Sequence, residues 1–395
     1  MILVPSKMGR INTRTLLSRL QKVGTSCRAD LARLLGISQP TAGRIVDELL
    51  EAGVLEELQE TNDSSAGKNN GRLGRPSRLL RLDAARPRFL AIHLGVTETL
   101  LAALPVALRS EDHWAARFPT PGSVEQWLEE LRVAAEPLLH KGLWGVLVSV
   151  PGILDEREGR VLFSPNLQWT SNVDLQSLIR RVWDLPVLLV QEERALALGH
   201  HAAVPEHEDF LLVDFGEGVG GAVVVGGKIY SSPLPISGEL GHTPVLGNWR
   251  PCGCGAAGCV ETLVSTRGLV QSFALASPKE SPTWSGFACH IAEYGVTPWL
   301  AEALNAAAVV IAGALNAFGL GRVVFTGSLT DLAPEVREYL AQAVERGTMW
   351  ARFGKVECLA VPRRRSAGLV AVGIDRLVIP MSEGREDARL AVASV

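Results

Sequence analysis

Two stretches of this chain are variations on one pattern: FLAIHLG at Phe89–Gly95 and FLLVDFG at Phe210–Gly216. Each reads as a buried strand that ends in glycine. Each is followed by a second apolar run, LLAALPVAL in the first case and GGAVVVGG in the second. Matched length and matched sequel, about 120 residues apart, predict a duplicated strand-turn-strand unit and hence two related α/β halves with a cleft between them. Further strands are expected at Gly145–Val150, Val187–Val190 and Arg322–Thr326. Helices are expected around Val124–Leu139, Leu175–Val182, Glu192–His201 and Leu300–Phe318. Strands alternating with helices imply mostly parallel sheets.

At 395 residues the chain has room for two or three domains and a large core. Its 47% hydrophobic and 21% charged content is that of a soluble globular protein. No apolar run is expected to reach the roughly 20 uncharged residues of a membrane span. The start, MILVPSKMGRINTRTLL, lacks an apolar core followed by a small-residue cleavage site, so no signal peptide is expected. Cys27, Cys289 and Cys358 stand alone, which fits a reducing cytoplasm and not a disulfide framework.

Charge is unevenly spread. Residues 1–88 hold 15 Lys and Arg against 9 Asp and Glu, and the remainder holds 24 against 33. A basic head on an acidic body suggests a head that meets a polyanion. In that head, Leu16, Leu17, Leu20 and Val23 form one helical stripe, and Leu31, Leu34 and Leu35 form a second. Gly36 breaks the chain, Ser38 is an N-cap with Pro40 in the first turn, and Ile45, Val46, Leu49 and Leu50 form a third stripe closed by Gly53. Two short helices around a tight glycine turn are a helix-turn-helix. Its second helix would enter the major groove N-terminus first, presenting Gln39, Thr41 and Arg44 to double-stranded DNA. Val54–Leu58 opens a hairpin whose tip and return strand carry Lys68, Arg72, Arg75 and Arg78, suited to phosphate or minor-groove contacts. The result is a winged helix-turn-helix.

The stretch GHTPVLGNWRPCGCGAAGC, Gly241–Cys259, spends half of the six cysteines on the pattern H-x9-C-x-C-x4-C. Three thiolates and an imidazole, His242, Cys252, Cys254 and Cys259, favour Zn2+ in a closed structural site. Gly253, Gly255 and Gly258 permit the tight turns of a metal knuckle. Nearby stand Glu239 and Glu261, with Asn166 and the pair Glu192–Glu193 upstream. Carboxylates and amides on separate loops suit a polyhydroxylated ligand, since each hydroxyl wants a donor or acceptor.

These stretches resemble the ROK family of repressors, open reading frames and sugar kinases. GHTPVLGNWRPCGCGAAGCVET looks like its zinc signature, while PNLQW and GELGH match its sugar-binding landmarks. The helix-turn-helix with LGRPS resembles the repressor branch, the regulators of glucose, N-acetylglucosamine and xylose use. The resemblance implies an actin-like, hexokinase-like duplicated α/β body with a zinc knuckle, and homodimers or homotetramers. It also implies that Asn166, Glu239, His242 and Glu261 contact a sugar, His242 binding zinc through its other nitrogen. The family's kinases carry Asp-x-Gly-Gly-Thr, Gly-Thr-Gly and Glu-Asn-Asp; here the matching stretches are His93-Leu94-Gly95-Val96-Thr97, Gly216-Glu217-Gly218 and Gln191-Glu192-Glu193. Phosphoryl transfer is mostly positioning and charge neutralisation, so these losses argue against an enzyme. Glu193 stands where the kinases have their general base and is kept among the effector-facing positions.

The expected organisation is a head over 1–82, a linker over 83–88 that acts as hinge, α/β subdomains over 89–200 and 201–380, and a tail over 381–395. The expected function is a cytoplasmic transcriptional regulator, most simply a repressor, that reads an inverted-repeat operator and senses a sugar or sugar phosphate. The alternatives are an ATP-dependent sugar kinase and a regulator driven by a protein partner.

Overall fold

The computed structural model describes residues 5–58, 78–107, 111–232 and 234–379. The head comprises α1 (Pro5–Val23), β1 (Ser26–Cys27), α2 (Arg28–Leu35), α3 (Gln39–Glu51), β2 (Leu55–Glu57) and β3 (Leu79–Leu82). α2 stops at Gly36, whose φ of +62° is the left-handed cap that glycine adopts without strain. α3 starts at Ser38, whose hydroxyl accepts from the Thr41 N–H. β3 lies between β1 and β2, antiparallel to both, and completes the wing. Leu16, Leu17, Leu20, Leu31, Ile45, Val46 and Leu49 are buried as expected. Val23 and Leu34 are exposed, and Leu35 and Leu50 are half-buried. The stripes are narrower than expected because α2 is only about two turns long, and the small Ala32 and Ala42 let the helices close up.

In the body, the first half runs β4 (Phe89–Leu94), β5 (Glu98–Leu104), β6 (Ala116–Pro119), α4 (Val124–Ala135), β7 (Gly145–Val150), β8 (Ile153–Asp155), β9 (Arg160–Phe163), α5 (Leu175–Val182), β10 (Val187–Gln191) and α6 (Glu192–Ala203). The second half runs β11 (Phe210–Phe215), β12 (Val219–Val225), β13 (Lys228–Ile229), α7 (Glu261–Val264), α8 (Thr266–Ala276), α9 (Trp284–Tyr294), α10 (Pro298–Phe318), β14 (Arg322–Gly327), α11 (Pro334–Gly347) and β15 (Glu357–Ala360). The first sheet is ordered β10-β7-β4-β5-β6 and the second β15-β14-β11-β12-β13. In each, the opening strand pairs antiparallel with the next and parallel with a later one. The duplication expected from the two heptapeptides is therefore complete at the level of topology. β4, β7, β10 and β11 are buried along their whole length, which is why they read as mostly apolar runs with no polar-out alternation.

Three findings modify the expectations. α10 spans 21 residues and is long and apolar enough to cross a membrane; here it is a core helix that buries Leu300, Leu304, Ile311 and Leu315 in the second half. The helix α12 (Arg365–Gly373) packs on α6, β7 and β4, so the expected span 201–380 takes in a helix that belongs by packing to the first half. The stretch expected to be a hinge is fastened. Asp83 is fully buried; it accepts from the Ala85 and Arg86 N–H groups and pairs with the Arg86 guanidinium at 2.5 Å. Arg88 lies over the Trp144 ring at 4.7 Å. Leu16, Ile45 and Leu80 of the head share one apolar cluster with Phe89, Val190 and Leu369 of the body.

Candidate functional site

The glycine turns that end β4 and β11 face one cleft between the halves. A Cβ at Gly95 would lie 2.5 Å from the Glu98 carbonyl, so this turn closes only around glycine. The cleft is lined by His93, Asn166, Glu192, Glu193, Asp214, Glu217, Glu239, His242, Glu261, Arg363 and Arg365, with the backbones of Gly95, Gly216 and Gly218. All five residues expected to face an effector, Asn166, Glu193, Glu239, His242 and Glu261, lie on this one wall set.

Glu239 and His242 share one short turn, and the other three come from separate segments. Glu193 sits in the first turn of α6, and its Oε2 is buried without a hydrogen-bond partner. Burial raises its pKa well above the carboxylate range, and the neighbouring charges of Glu192 and Glu239 add to this. Glu239 accepts from the Gln191 amide at 3.2 Å, and burial raises its pKa too. Glu261 opens α7 and accepts from the Val219 N–H at 2.9 Å. Asn166 Nδ2 and Glu261 Oε2 would each lie 3.0 Å from a Cβ at Gly218, so both side chains press on that turn.

The expected metal residues also converge. Ligand atoms of His242, Cys252, Cys254 and Cys259 all lie within 4.8 Å of one another. Cys254 and Cys259 sulfurs are 3.7 Å apart, and Cys252 Sγ is 3.5 Å from His242 Nδ1. Zinc bond lengths place the edges of a tetrahedron at about 3.8 Å for two sulfurs and about 3.6 Å for sulfur and nitrogen. The donor set thus fits a tetrahedral cation. Burial pushes the Cys252 thiol up to about 12, so its thiolate needs a compensating cation. The loop is tied by pairing of Pro244 with Cys259 and of Pro251 with Ala257. Gly255 and Gly258 have φ of +91° and +83°, as their role in tight turns requires. Gly253 does not; a Cβ there would lie 2.8 Å from the Pro165 carbonyl, so it lets the metal loop approach the strand of chain that carries Asn166. His242 meets Glu239 through its other nitrogen, Nε2, at 3.7 Å.

Sequence reasoning missed the opposite end of the cleft. Arg363 donates to both carboxylate oxygens of Asp214 at 2.7 Å, which holds the guanidinium charged despite its burial. It lies 2.6 and 2.8 Å from Cβ positions at Gly216 and Gly327, directly over two backbone turns. Arg365 donates to Glu192 through Nε at 2.8 Å and through a second nitrogen. Glu192 is therefore consumed by an ion pair, unlike its neighbour Glu193. Burial pushes the pKa of His93 well below the usual value, and Arg365 and Arg363 push it further. The RRRS run at Arg363–Ser366 was the available signal: three cations after a strand in an acidic half need carboxylate partners.

In the head, Gln39 and Arg44 are exposed on the N-terminal half of α3. Thr41 shares a 2.8 Å contact with the Ser38 hydroxyl, and Arg44 pairs with Glu48 at 2.6 Å. Arg78 pairs with Glu57 at 2.6 Å, which also takes Arg28. Lys68, Arg72 and Arg75 lie outside the described residues.

Comparison with known proteins agrees with this geometry. The profile of the ROK family matches residues 89–370, and that of a winged helix-turn-helix DNA-binding domain matches residues 10–56. The xylose repressor of Bacillus subtilis is 23% identical over 377 residues, covering 94% of this chain and 95% of that one. The xylose repressor of Caldicellulosiruptor bescii is 28% identical over 254 residues. That match takes in 62% of this chain and 61% of the repressor, less than two thirds of its length. Sugar kinases are among the relatives as well. A solved ROK family transcriptional regulator, a homolog of the E. coli MLC protein, superposes with a TM-score of 0.74 at 18% identity, covering 95% of this chain and all of that one.

Proposed function

This chain belongs to the ROK family, and from that premise we propose that it is a DNA-binding transcriptional regulator, most simply a repressor, whose cleft senses a sugar. The observation that carries this reading is a winged head sharing one core with a ROK body in whose cleft Arg363, paired with Asp214, lies over the Gly216 turn. By resemblance, Gly216-Glu217-Gly218 matches the kinases' Gly-Thr-Gly; here Arg363 lies over Gly216 and Glu217 adds a carboxylate at the same turn. Glu217 would repel a nucleotide phosphate, and Arg363, already paired with Asp214, offers it no free fork. The near full-length likeness to the Bacillus subtilis repressor supports the same conclusion.

Gln39, Thr41 and Arg44 would read base edges, with Lys68, Arg72 and Arg75 on the backbone. A homodimer or homotetramer would present paired heads to an inverted repeat in the cytoplasm. A protein partner acting on the body remains the alternative input. Asn166, Glu193, Glu239, His242 and Glu261 would hold the sugar. Zn2+ on His242, Cys252, Cys254 and Cys259 would be structural: four good ligands leave no open position. It would fix the His242 ring so that Nε2 faces the cleft. The domain division we favour is a head over 1–82 and a bracket over 83–88, then two α/β subdomains, with α12 assigned to the first.

Two helices connect sugar and head. α6 carries Glu192 and Glu193 at its cleft end, and beyond its other end Glu206 pairs with Lys22 of α1 at 2.5 Å. α12 starts with Arg365 in the cleft, and Asp375 just past its end pairs with Arg14 of α1. A sugar that moves this pair biases the placement of the head, in proportion to its differing affinity for the two placements.

Selection of genomic fragments by the full-length protein tests the assignment. The expected result is an enriched palindrome, lost when Gln39 and Arg44 are both replaced by Ala. No enrichment with or without sugar, or enrichment indifferent to the double substitution, would sink it.

A further inference from the structure

The cleft has a pronounced sign. Seven carboxylates line it, Glu98 among them, against two guanidiniums. Both guanidiniums are already committed, Arg363 to Asp214 and Arg365 to Glu192. With His93 held neutral, no uncommitted cation faces the cleft from its described walls except His242, which the metal loop claims. Glu193 stands apart among the acids. Its Oε1 would lie 2.4 Å from a Cβ at Gly220, so the side chain is wedged against backbone, while its Oε2 is buried with no partner. A buried carboxyl group without a partner costs free energy until a hydrogen-bonding group reaches it.

We propose that the cleft selects its effector by charge: it takes a polyhydroxylated ligand without a phosphate, and Glu193 receives an ammonium or other cationic substituent in preference to a hydroxyl. This rests on the sugar-sensing reading above and narrows it to unphosphorylated sugars, with amino sugars favoured. A phosphate would bring about −2 charge among carboxylates with no free guanidinium to fork onto. An ammonium would bring three donors and one positive charge to Glu193, with the carboxylates of Glu192 and Glu239 close enough to bear on it.

The test uses the full-length protein and matched probes: glucose, glucosamine and glucose 6-phosphate, with xylose as a second neutral sugar. Binding is read by calorimetry and by thermal shift at low and high salt. The expected order is glucosamine tighter than glucose by at least about tenfold at low salt, with the gap narrowing at high salt, and no binding of glucose 6-phosphate. Glu193→Gln should close the gap between glucosamine and glucose, and its melting curve reports whether the variant folds. The wild-type salt series stands without the variant. Glucose 6-phosphate binding as tightly as glucose would overturn charge selection and leave the sugar reading intact. Equal binding of glucose and glucosamine at both salts would overturn the role of Glu193. If none of the four probes binds, the sugar reading falls and this inference falls with it.

Discussion

The two halves of the body share a sheet topology strand for strand, yet they bring opposite chemistry to the cleft. His93 on β4 and Asp214 on β11 occupy the same position of the repeated heptapeptide. Both are buried. Asp214 is held by the Arg363 guanidinium and by the Thr326 hydroxyl at 2.5 Å. His93 is neutral, 3.4 Å from Ser149 and 3.9 Å from Glu192. The connections differ as well. Between β6 and α4 the first half uses a few residues, whereas between β13 and α7 the second half inserts the loop that carries His242, Cys252, Cys254 and Cys259. Duplication conserved what the sheet needs, apolar strands and a glycine turn, and left free the side chains that decide what the cleft binds.

The largest test removes what only the second half has. Cys252→Ser, or stripping metal with a chelator, should lower the melting temperature by on the order of 10 °C and abolish sugar binding, because the loop would lose the cation that fixes His242 and Glu261. Metal analysis of protein purified without chelator should give about one zinc per chain. A stable, sugar-binding protein with no metal would remove the loop from the comparison. Next comes Arg363→Ala. It strands Asp214 in a buried site and should cost about 3 kcal/mol in denaturant melts. His93→Ala, at the matching position, strands no charge and should cost less. Equal losses would mean that the two positions are equivalent in energy as well as in sequence.

Acid sharpens the same contrast. The fold holds His93 neutral, so its pKa is lower folded than unfolded. Below the unfolded value of about 6.5, the unfolded chain binds a proton that the folded chain refuses, and stability falls with pH. Glu193 acts with the opposite sign. Its folded pKa is raised, so its stabilising contribution is whole below about 4.5 and is lost as pH rises through the folded value. His93→Gln should flatten the decline below pH 6.5 by up to about 1.4 kcal/mol per pH unit. His200, pushed down to about 4 mainly by burial, will leave a residual slope between pH 6.5 and 4. An unchanged acid limb in His93→Gln would show that His93 takes its proton in the fold.

The sequence made the fold legible wherever periodicity and punctuation agree. The paired heptapeptides, Ser38 before Pro40 and the histidine–cysteine spacing each name a local geometry, and each is present. That Asn166, Glu193 and Glu239 line one cleft was not legible from spacing, since nothing in their sequence separation brings them together. The Arg363–Asp214 pair was legible only as a need: the RRRS run asks for carboxylate partners, but Asp214 lies 149 residues away and nothing local names it. Leu34 and Val23 misled for a related reason: a helical stripe says which residues share a face but not how wide the covering partner is.

The smallest effect bears most on regulation. The ion pairs described between α1 and the body go to Asp375 and Glu206, both at the far ends of helices that start in the cleft. The Arg14–Asp375 pair is roughly half exposed on both sides, so Asp375→Asn should cost at most about 1 kcal/mol of stability. If the head follows α6 and α12, that substitution should leave both operator affinity without sugar and sugar affinity without operator within about twofold, while shrinking the coupling between them. The coupling is the change in operator affinity that saturating sugar causes, and linkage requires the same factor in the reverse titration. An unchanged factor in Asp375→Asn, and again when Lys22 is also replaced by Ala, would mean that the signal reaches the head through the fastened bracket of Asp83 and Arg88, and that the two helices only hold it in place.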